Sequence, residues 1–392
     1  MRMAALPLRM VDVEPGVAGL AAVSAALTAR LDADGPPFAL VPQVSRHITA
    51  DYARMVTDAV RPGEPVDDPD TALVVATSGS TGTPRGVSIT RANLRAAVHA
   101  SWERIDGLRE CAWVIALPVT SIGGFGALVR AHLAGTPLHA LPSMGGAAPF
   151  DPADLVALPV REPFAISLVP TQIADILDSE SATEWLSRAT AVIVGAAAMP
   201  ADLASRARGA GIRLVTTYGM TETTGGCVYD GLPLPGVTID IVDGRIEVEG
   251  PQVAAGYRDG SDGFSGDAPK RRFRTTDRGE WRNGRLVVLG RLDDVVTVNG
   301  VNVSLGAVEA VARTELGVRD VAVVAAPDVR RGARIVAYVE MSDPAGLPAI
   351  APLVAERLGG AARPEVVQVD ALPHLPNGKI DRRALVERAA RD

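Results

Sequence analysis

The sequence predicts an α/β protein: a large N-terminal domain with mainly parallel sheets and a small antiparallel β unit, then a small α+β C-terminal domain. Three observations predict it. Short apolar runs recur between helix-like stretches from Leu73 onward. Between Gly236 and Leu289 the texture changes to short alternating segments separated by Gly-rich turns. After Gly290-Arg291-Leu292-Asp293-Asp294 a third texture follows, with strands and helices in close succession. Strand alternating with helix marks a parallel sheet, and period-two alternation marks half-buried antiparallel strands.

The elements fall in order. A helix-like stretch covers 17–31, and a Pro-flanked strand region covers 38–41. Strand candidates follow at 73–76, 113–117, 165–168, 192–194 and 213–216. Helix-like stretches at 128–133, 171–177 and 200–207 separate several of them. Such sheets bind ligands at loops beyond the C-terminal ends of their strands. Strands at 237–242, 245–249 and 285–288 make the antiparallel unit, taken as 236–289. Then come a strand at 295–298, a helix at 305–314, strands at 321–325 and 335–340, a helix at 350–358 and a strand at 365–369. This last unit of about 100 residues is large enough to fold as its own domain. The expected division is therefore 1–291 and 292–392.

The chain has 392 residues, room for two or three domains with a sizeable core. It is 47% hydrophobic and 22% charged, as a globular protein is. A net charge of −7 argues against a nucleic-acid surface. Cys111 and Cys227 are the only cysteines, with no CxxC spacing. That argues against a disulfide scaffold or a zinc site and fits a reducing cytoplasm, the expected location. There is no apolar run of about 18 residues, so no membrane insertion is expected. Arg2 and Arg9 are followed by Asp12 and Glu14 rather than by an apolar core, so no signal peptide is expected either.

The most informative stretch is Thr77-Ser78-Gly79-Ser80-Thr81-Gly82-Thr83-Pro84-Arg85-Gly86, between a strand and a strand-then-helix segment that runs to Trp102. Hydroxyls and closely approaching backbone N–H groups suit phosphate oxygens. The Gly-Lys-Ser/Thr of a P-loop is missing, which removes a kinase or GTPase reading. A phosphate cradle and a solvated turn remain.

Four further segments carry chemistry. In Tyr218-Gly219-Met220-Thr221-Glu222, after the strand at 213–216, an aromatic beside Gly can lie flat on a base, and Thr-Glu can hold a phosphate and a magnesium ion. In Arg274-Thr275-Thr276-Asp277, an Asp after a strand can accept both hydroxyls of a ribose. Gly290-Arg291-Leu292-Asp293-Asp294 sits at the inferred domain junction. Leu375-Pro376-Asn377-Gly378-Lys379-Ile380-Asp381-Arg382 presents an ammonium on a Gly-Lys turn. Singly, each has an ordinary reading: Tyr218 as a core aromatic, Glu222 as a helix N-terminal charge, Asp277 as a turn cap, Arg291 with Asp293 as a surface ion pair, and Lys379 as a solvated tail residue.

Together and in this order, over about residues 70–386, the five motifs resemble those of the adenylate-forming superfamily: acyl-CoA synthetases, adenylation domains of peptide synthetases, and luciferases. The resemblance implies a large domain and a small C-terminal domain that swings about a hinge. It implies ATP and Mg2+, with coenzyme A as co-substrate. It places Thr77, Ser78, Gly79, Ser80, Thr81, Gly82, Thr83 and Arg85 in the loop around the β- and γ-phosphates. Tyr218 beside Gly219 would stack on adenine, Thr221 would touch the α-phosphate and Glu222 would bind the metal. Asp277 would hold the ribose with help from Arg291, Asp293 would be the hinge, and Lys379 would bridge the acid carboxylate and the α-phosphate. The partners so implied are a small-molecule carboxylic acid, ATP and CoA, with a homodimer left open.

Within the superfamily the run Thr217-Tyr218-Gly219-Met220-Thr221-Glu222-Thr223-Thr224-Gly225-Gly226-Cys227-Val228-Tyr229-Asp230-Gly231 is similar to that of o-succinylbenzoate–CoA ligases of menaquinone biosynthesis, in their short form. Three departures stand out. Pro118-Val119-Thr120-Ser121-Ile122-Gly123-Gly124 carries no His, Val194-Gly195-Ala196-Ala197-Ala198-Met199-Pro200 has Ala where a second Gly is common, and Arg85 replaces the usual Lys. Arg and Lys share charge but not geometry. The acid-pocket candidates are Ser121, Gly124, Phe125, Ser167, Thr171, Ala196, Ala197, Gly225 and Gly226, each also explicable as ordinary packing. A paralogue activating another aromatic or keto acid, with CoA, a carrier-protein thiol or an amine as acceptor, is the alternative; no carrier domain is expected in cis. A non-catalytic nucleotide-binding relative is the third reading, and intact Glu222, Asp277 and Lys379 argue against it.

Overall fold

The computed structural model describes residues 7–45, 48–77, 84–144, 148–341, 349–374 and 380–391. Its contacts divide the chain into two units. The first holds the residues up to Asp240 and Glu247–Arg274; the second holds Ile241–Ile246 and the residues from Thr275 onward. The division passes through the strands Thr238–Val242, Arg245–Glu249 and Arg272–Arg282.

The first unit contains two large sheets. One has the order Arg9–Val13, Phe38–Pro42, Thr71–Ala76, Gly86–Thr90, Gly256–Tyr257. Its first three strands are parallel, and Gly86–Thr90 runs antiparallel to Thr71–Ala76. The Gly/Ser/Thr stretch therefore links two strands paired as a hairpin. Helix Val17–Asp32 buries Leu20, Val23, Leu27 and Leu31, the spacing of one helical face. Helix Arg91–Arg104 starts where Thr90 and Asn93 form a reciprocal capping box, which satisfies N–H groups left free at a helix start.

The other sheet has seven strands in the order Leu232–Pro233, Gly225–Tyr229, Leu214–Met220, Ala191–Val194, Phe164–Leu168, Ala112–Ile115, Leu138–Ala140. Five of them are parallel, and Gly225–Tyr229 with Leu232–Pro233 adds an antiparallel edge. The central strands Ala112–Ile115, Phe164–Leu168 and Ala191–Val194 are almost wholly apolar and buried, as parallel sheets covered by helices require. Ile166, Leu168, Val192 and Val194 pack with Ile173, Ile176, Trp185 and Leu203 from the helices Pro170–Leu177, Glu180–Ser187 and Ala201–Gly209.

In the second unit, the distal half of Arg272–Arg282 pairs with Arg285–Arg291, from Asp277 opposite Arg291 to Arg282 opposite Arg285. The hairpin Val295–Val298/Val301–Ser304 turns at Asn299-Gly300, both with positive φ (51° and 79°), the geometry a two-residue hairpin prefers. A three-stranded sheet of Val318–Asp328, Gly332–Met341 and Glu365–Val369 follows. Its side chains alternate between two cores. Val321, Val323, Ile335 and Val339 face helices Leu305–Ala312 and Ile350–Leu358. Ala322, Val324, Val336 and Tyr338 face Leu385 and Ala389 of helix Arg382–Ala389.

Candidate active site

Ser78, Gly79, Ser80, Thr81, Gly82 and Thr83, expected to cradle phosphate, lie outside the described residues. The neck that carries them is closed by the Thr77 N–H donating to the Arg85 carbonyl at 2.8 Å and the Arg85 N–H donating to Thr77 Oγ1 at 3.2 Å. Gly86 is required there, since a Cβ would stand 2.3 Å from the Ala59 carbonyl oxygen. The Arg85 guanidinium lies over the Tyr257 ring, 3.3 Å from its centroid. It also donates to the Ser261 hydroxyl, and its Nε stands 3.8 Å from Asp259 Oδ2. A planar guanidinium stacks on an aromatic face in a way an ammonium does not.

Tyr218 and Gly219 do not follow the strand; they belong to it, because Leu214–Met220 runs further than the apolar pattern at 213–216 indicates. Thr221–Thr223 form one tight turn, and Thr224 adopts a left-handed φ of 53° before the chain returns as Gly225–Tyr229. Glu222 thus sits on a three-residue turn rather than at the start of a longer helix. Gly219 pairs with Gly226, and a Cβ on Gly219 would lie 2.1 Å from the Gly225 oxygen. Buried Gln252 donates to the Thr223 and Gly226 carbonyls at 2.8 and 3.2 Å, and the Thr224 hydroxyl donates to the Gln252 carbonyl at 2.6 Å. Asn93 in turn donates to the Pro251 and Val253 carbonyls at 2.8 and 2.9 Å. The Ala254 N–H donates to the Glu222 carbonyl at 2.9 Å, and the Tyr257 hydroxyl donates to Glu222 Oε1 at 2.8 Å. Burial and the Glu222 charge push the Tyr257 phenol well above its usual value, so it remains a donor at neutral pH.

The acid-pocket candidates are placed diversely. Ser121 caps helix Ile122–Ala134: its hydroxyl donates to the Pro118 carbonyl at 2.7 Å and accepts from the Gly124 N–H at 3.4 Å. Gly124 has no room for a side chain, with the Pro118 oxygen 2.3 Å from a built Cβ. Phe125 is fully buried, its ring 6.2 Å from that of Phe38. Ser167 is buried in Phe164–Leu168, whereas Thr171 is half-buried in the first turn of Pro170–Leu177. Ala196 and Ala197 are exposed, Ala196 with φ 68°. Gly225 and Gly226 are half-buried in the return strand.

In the second unit Asp277 lies within a strand, not after one, because Arg272–Arg282 extends past it. It is paired in register with Arg291, whose Nη1 is 3.6 Å from Asp277 Oδ1. Arg291 also grips Asp293 with both carboxylate oxygens at 2.8 and 2.7 Å, and donates to the Thr276 hydroxyl. Burial opposes the Arg291 charge, but Asp293, Asp277 and Asp294 outweigh it and raise its pKa. Lys379 lies outside the described residues. On either side of it, His374 bridges Ile380, and the Asp381 N–H donates to the Pro373 carbonyl at 2.7 Å.

Two family models match this chain. The model described as AMP-binding enzyme matches residues 12–258, and the one described as AMP-binding enzyme C-terminal domain matches residues 307–379. The chain belongs to the AMP-binding enzyme family. This AMP-binding enzyme is 40% identical over 353 residues to a probable 2-succinylbenzoate–CoA ligase of Mycobacterium tuberculosis, covering 85% of this chain and 88% of the relative. Its fold is similar to that of an Escherichia coli MenE variant with bound OSB-AMS, at TM-score 0.78 and 23% identity over 99% of this chain and 89% of the other. It is also similar to Bacillus subtilis o-succinylbenzoate CoA synthetase in complex with the acyl-adenylate intermediate OSB-AMP, at TM-score 0.72 and 23% identity over 97% and 88% of the two chains.

Tyr257, Gln252 and Asn93 escape the sequence reading of this AMP-binding enzyme. Tyr257 is 35 residues from Glu222, with no spacing that signals the contact. Gln252 gives a faint signal, a lone amide between Pro251 and Val253 in a segment without charge. Asn93 reads as an ordinary polar helix residue.

Proposed function

We propose that this protein is an ATP-dependent acid–CoA ligase that acts through an acyl-adenylate, with o-succinylbenzoate as its acid. The observation that carries the proposal is the extent of identity to the mycobacterial relative, which spans nearly the whole of both chains. The reading places the enzyme in the cytoplasm, with an N-terminal domain 1–291 and a C-terminal domain 292–392.

The roles follow from charge. The acid carboxylate attacks the α-phosphorus of ATP, and negative charge gathers there as pyrophosphate leaves. Lys379 offsets that charge, and the Thr221 hydroxyl orients the phosphate; both act by electrostatic stabilisation rather than acid–base transfer. Tyr218 stacks on adenine, Asp277 with Arg291 holds the ribose, and the segment from Thr77 to Arg85 embraces the outer phosphates. Asp293 is the hinge about which the small domain reorients before the CoA thiol attacks the mixed anhydride, releasing AMP.

The residues present fit a magnesium ion. Glu222 Oε2 accepts from no group among the described residues, and no cluster of three or more potential ligands occurs among them. A single carboxylate beside a triphosphate is how magnesium is commonly held, because the ion keeps waters and takes its other ligands from phosphate. When bound, magnesium neutralises phosphate charge.

A second reading, a different acid, is favoured by Ser121. Its one hydroxyl proton is used on Pro118, so it offers no donor to the succinyl carboxylate. Both readings are tested by measuring pyrophosphate release and thioester formation, with and without CoA, for o-succinylbenzoate and for a benzoate lacking the succinyl arm. The proposal expects CoA-dependent thioester from o-succinylbenzoate. Turnover of the monocarboxylic acid alone would replace it with the second reading.

A further inference from the structure

Glu222 is held on its turn through its backbone, but its carboxylate has one restraint among the described residues, the Tyr257 hydroxyl at 2.8 Å. Tyr257 is itself unusually constrained. Its ring meets Phe264 edge-on at 5.0 Å and Phe273 at 6.3 Å, and Arg85 covers it at 3.3 Å. Asp259 and Ser261 hold the Arg85 guanidinium in that place. The result is a layered stack in which the cation at the phosphate-loop neck, an aromatic ring and an acidic side chain follow one another, all within the first unit.

We propose that Tyr257 is a positioning residue for the metal: it engages one oxygen of Glu222 and leaves the other directed to magnesium, with Arg85 seated on its ring to fix it. The inference rests on the proposed role of Glu222 as metal ligand. A carboxylate with a fixed partner loses less freedom on binding a metal than one free to rotate, and removing such a partner typically costs about 10–100-fold in metal affinity. The stack also accounts for arginine at position 85: a lysine keeps the charge there but not the flat contact.

The test titrates magnesium against ATP binding by calorimetry, with an EDTA control, for the wild type, Tyr257→Phe and Glu222→Gln. Tyr257→Phe keeps the ring for Phe264, Phe273 and Arg85 and removes only the hydroxyl. It is expected to raise the magnesium concentration at half-saturation about tenfold, with metal-free ATP binding and the thermal midpoint unchanged. Glu222→Gln is expected to raise it further. A shift for Glu222→Gln without one for Tyr257→Phe overturns this inference and leaves the ligand role standing. No shift for either overturns both. Equal weakening with and without magnesium, or a lowered thermal midpoint, makes Tyr257 a packing residue and also overturns the inference.

Discussion

Arg382 donates to Glu309 Oε2 at 2.7 Å, tying the helix that follows Lys379 to helix Leu305–Ala312. Arg313 holds the other oxygen at 3.1 Å, and the Val323 N–H donates to Oε2 at 3.0 Å. Burial opposes the Glu309 charge, but the two arginines outweigh it and hold its pKa below the usual carboxylate value. A depressed acid stabilises the fold fully above its unfolded value, about 4.3, and the contribution is lost as pH falls through the folded value. Glu309→Gln is therefore expected to cost about 1–3 kcal/mol at pH 7, since it removes the carboxylate shared by Arg313, which keeps Asp320, and by the part-exposed Arg382. Its deficit against the wild type should shrink as the pH falls below about 4.3. Urea midpoints measured between neutral and acid pH read this out; a constant deficit would mean that Glu309 is not the titrating group.

On the role proposed for Lys379, Lys379→Ala is expected to lower acyl-adenylate formation by about 100-fold or more, since it removes the cation assigned to the reacting phosphate. Thioester formation from preformed acyl-adenylate should remain near wild type. Single-turnover assays of each half-reaction separate the two, and an equal fall in both would remove the lysine from the first step alone.

Asp293 lies between the strands Arg285–Arg291 and Val295–Val298. Proline there fixes φ near about −65° and also removes the grip of Arg291, so alanine is the control. Asp293→Pro is expected to preserve adenylation and block thioester formation, with Asp293→Ala sparing both. If Asp293→Ala blocks the thioester step too, the ion pair matters; if Asp293→Pro spares it, the backbone rotation lies elsewhere.

Gly219→Ala places a methyl 2.1 Å from the Gly225 oxygen. Prising this hairpin apart is expected to cost about 1–3 kcal/mol, and to weaken ATP binding through displacement of Tyr218. Thermal melts and nucleotide titration measure both, and a wild-type melt would show that the turn yields freely.

Much of the fold is legible in the sequence because apolar runs mark buried strands. The stretch 192–194 emerges as Ala191–Val194, and 245–249 as Arg245–Glu249. Polar strands are harder to see. Arg272–Arg282 alternates charged residues with few apolar ones, and its length comes from pairing with Arg285–Arg291 rather than from propensity. Helix Arg382–Ala389 is equally hidden, since only Leu385 and Ala389 are buried. For the candidate site, motif order points to Tyr218, Glu222, Asp277 and Arg291. The partners that hold them, such as Tyr257 and Gln252, are set by tertiary contact and leave no local trace.

The facing glycines also bear on how a new acid specificity is acquired. Gly219, Gly226 and Gly124 each abut other atoms too closely to take on a side chain by simple substitution, with a built Cβ at 2.1, 2.7 and 2.3 Å from its nearest neighbour. Among the candidates, the sites open to change in size and charge are thus Thr171, Ala196 and Ala197. A mutational library directed at substrate range gains most by varying those three and leaving the glycines untouched, because variation at the glycines is spent on destabilised chains.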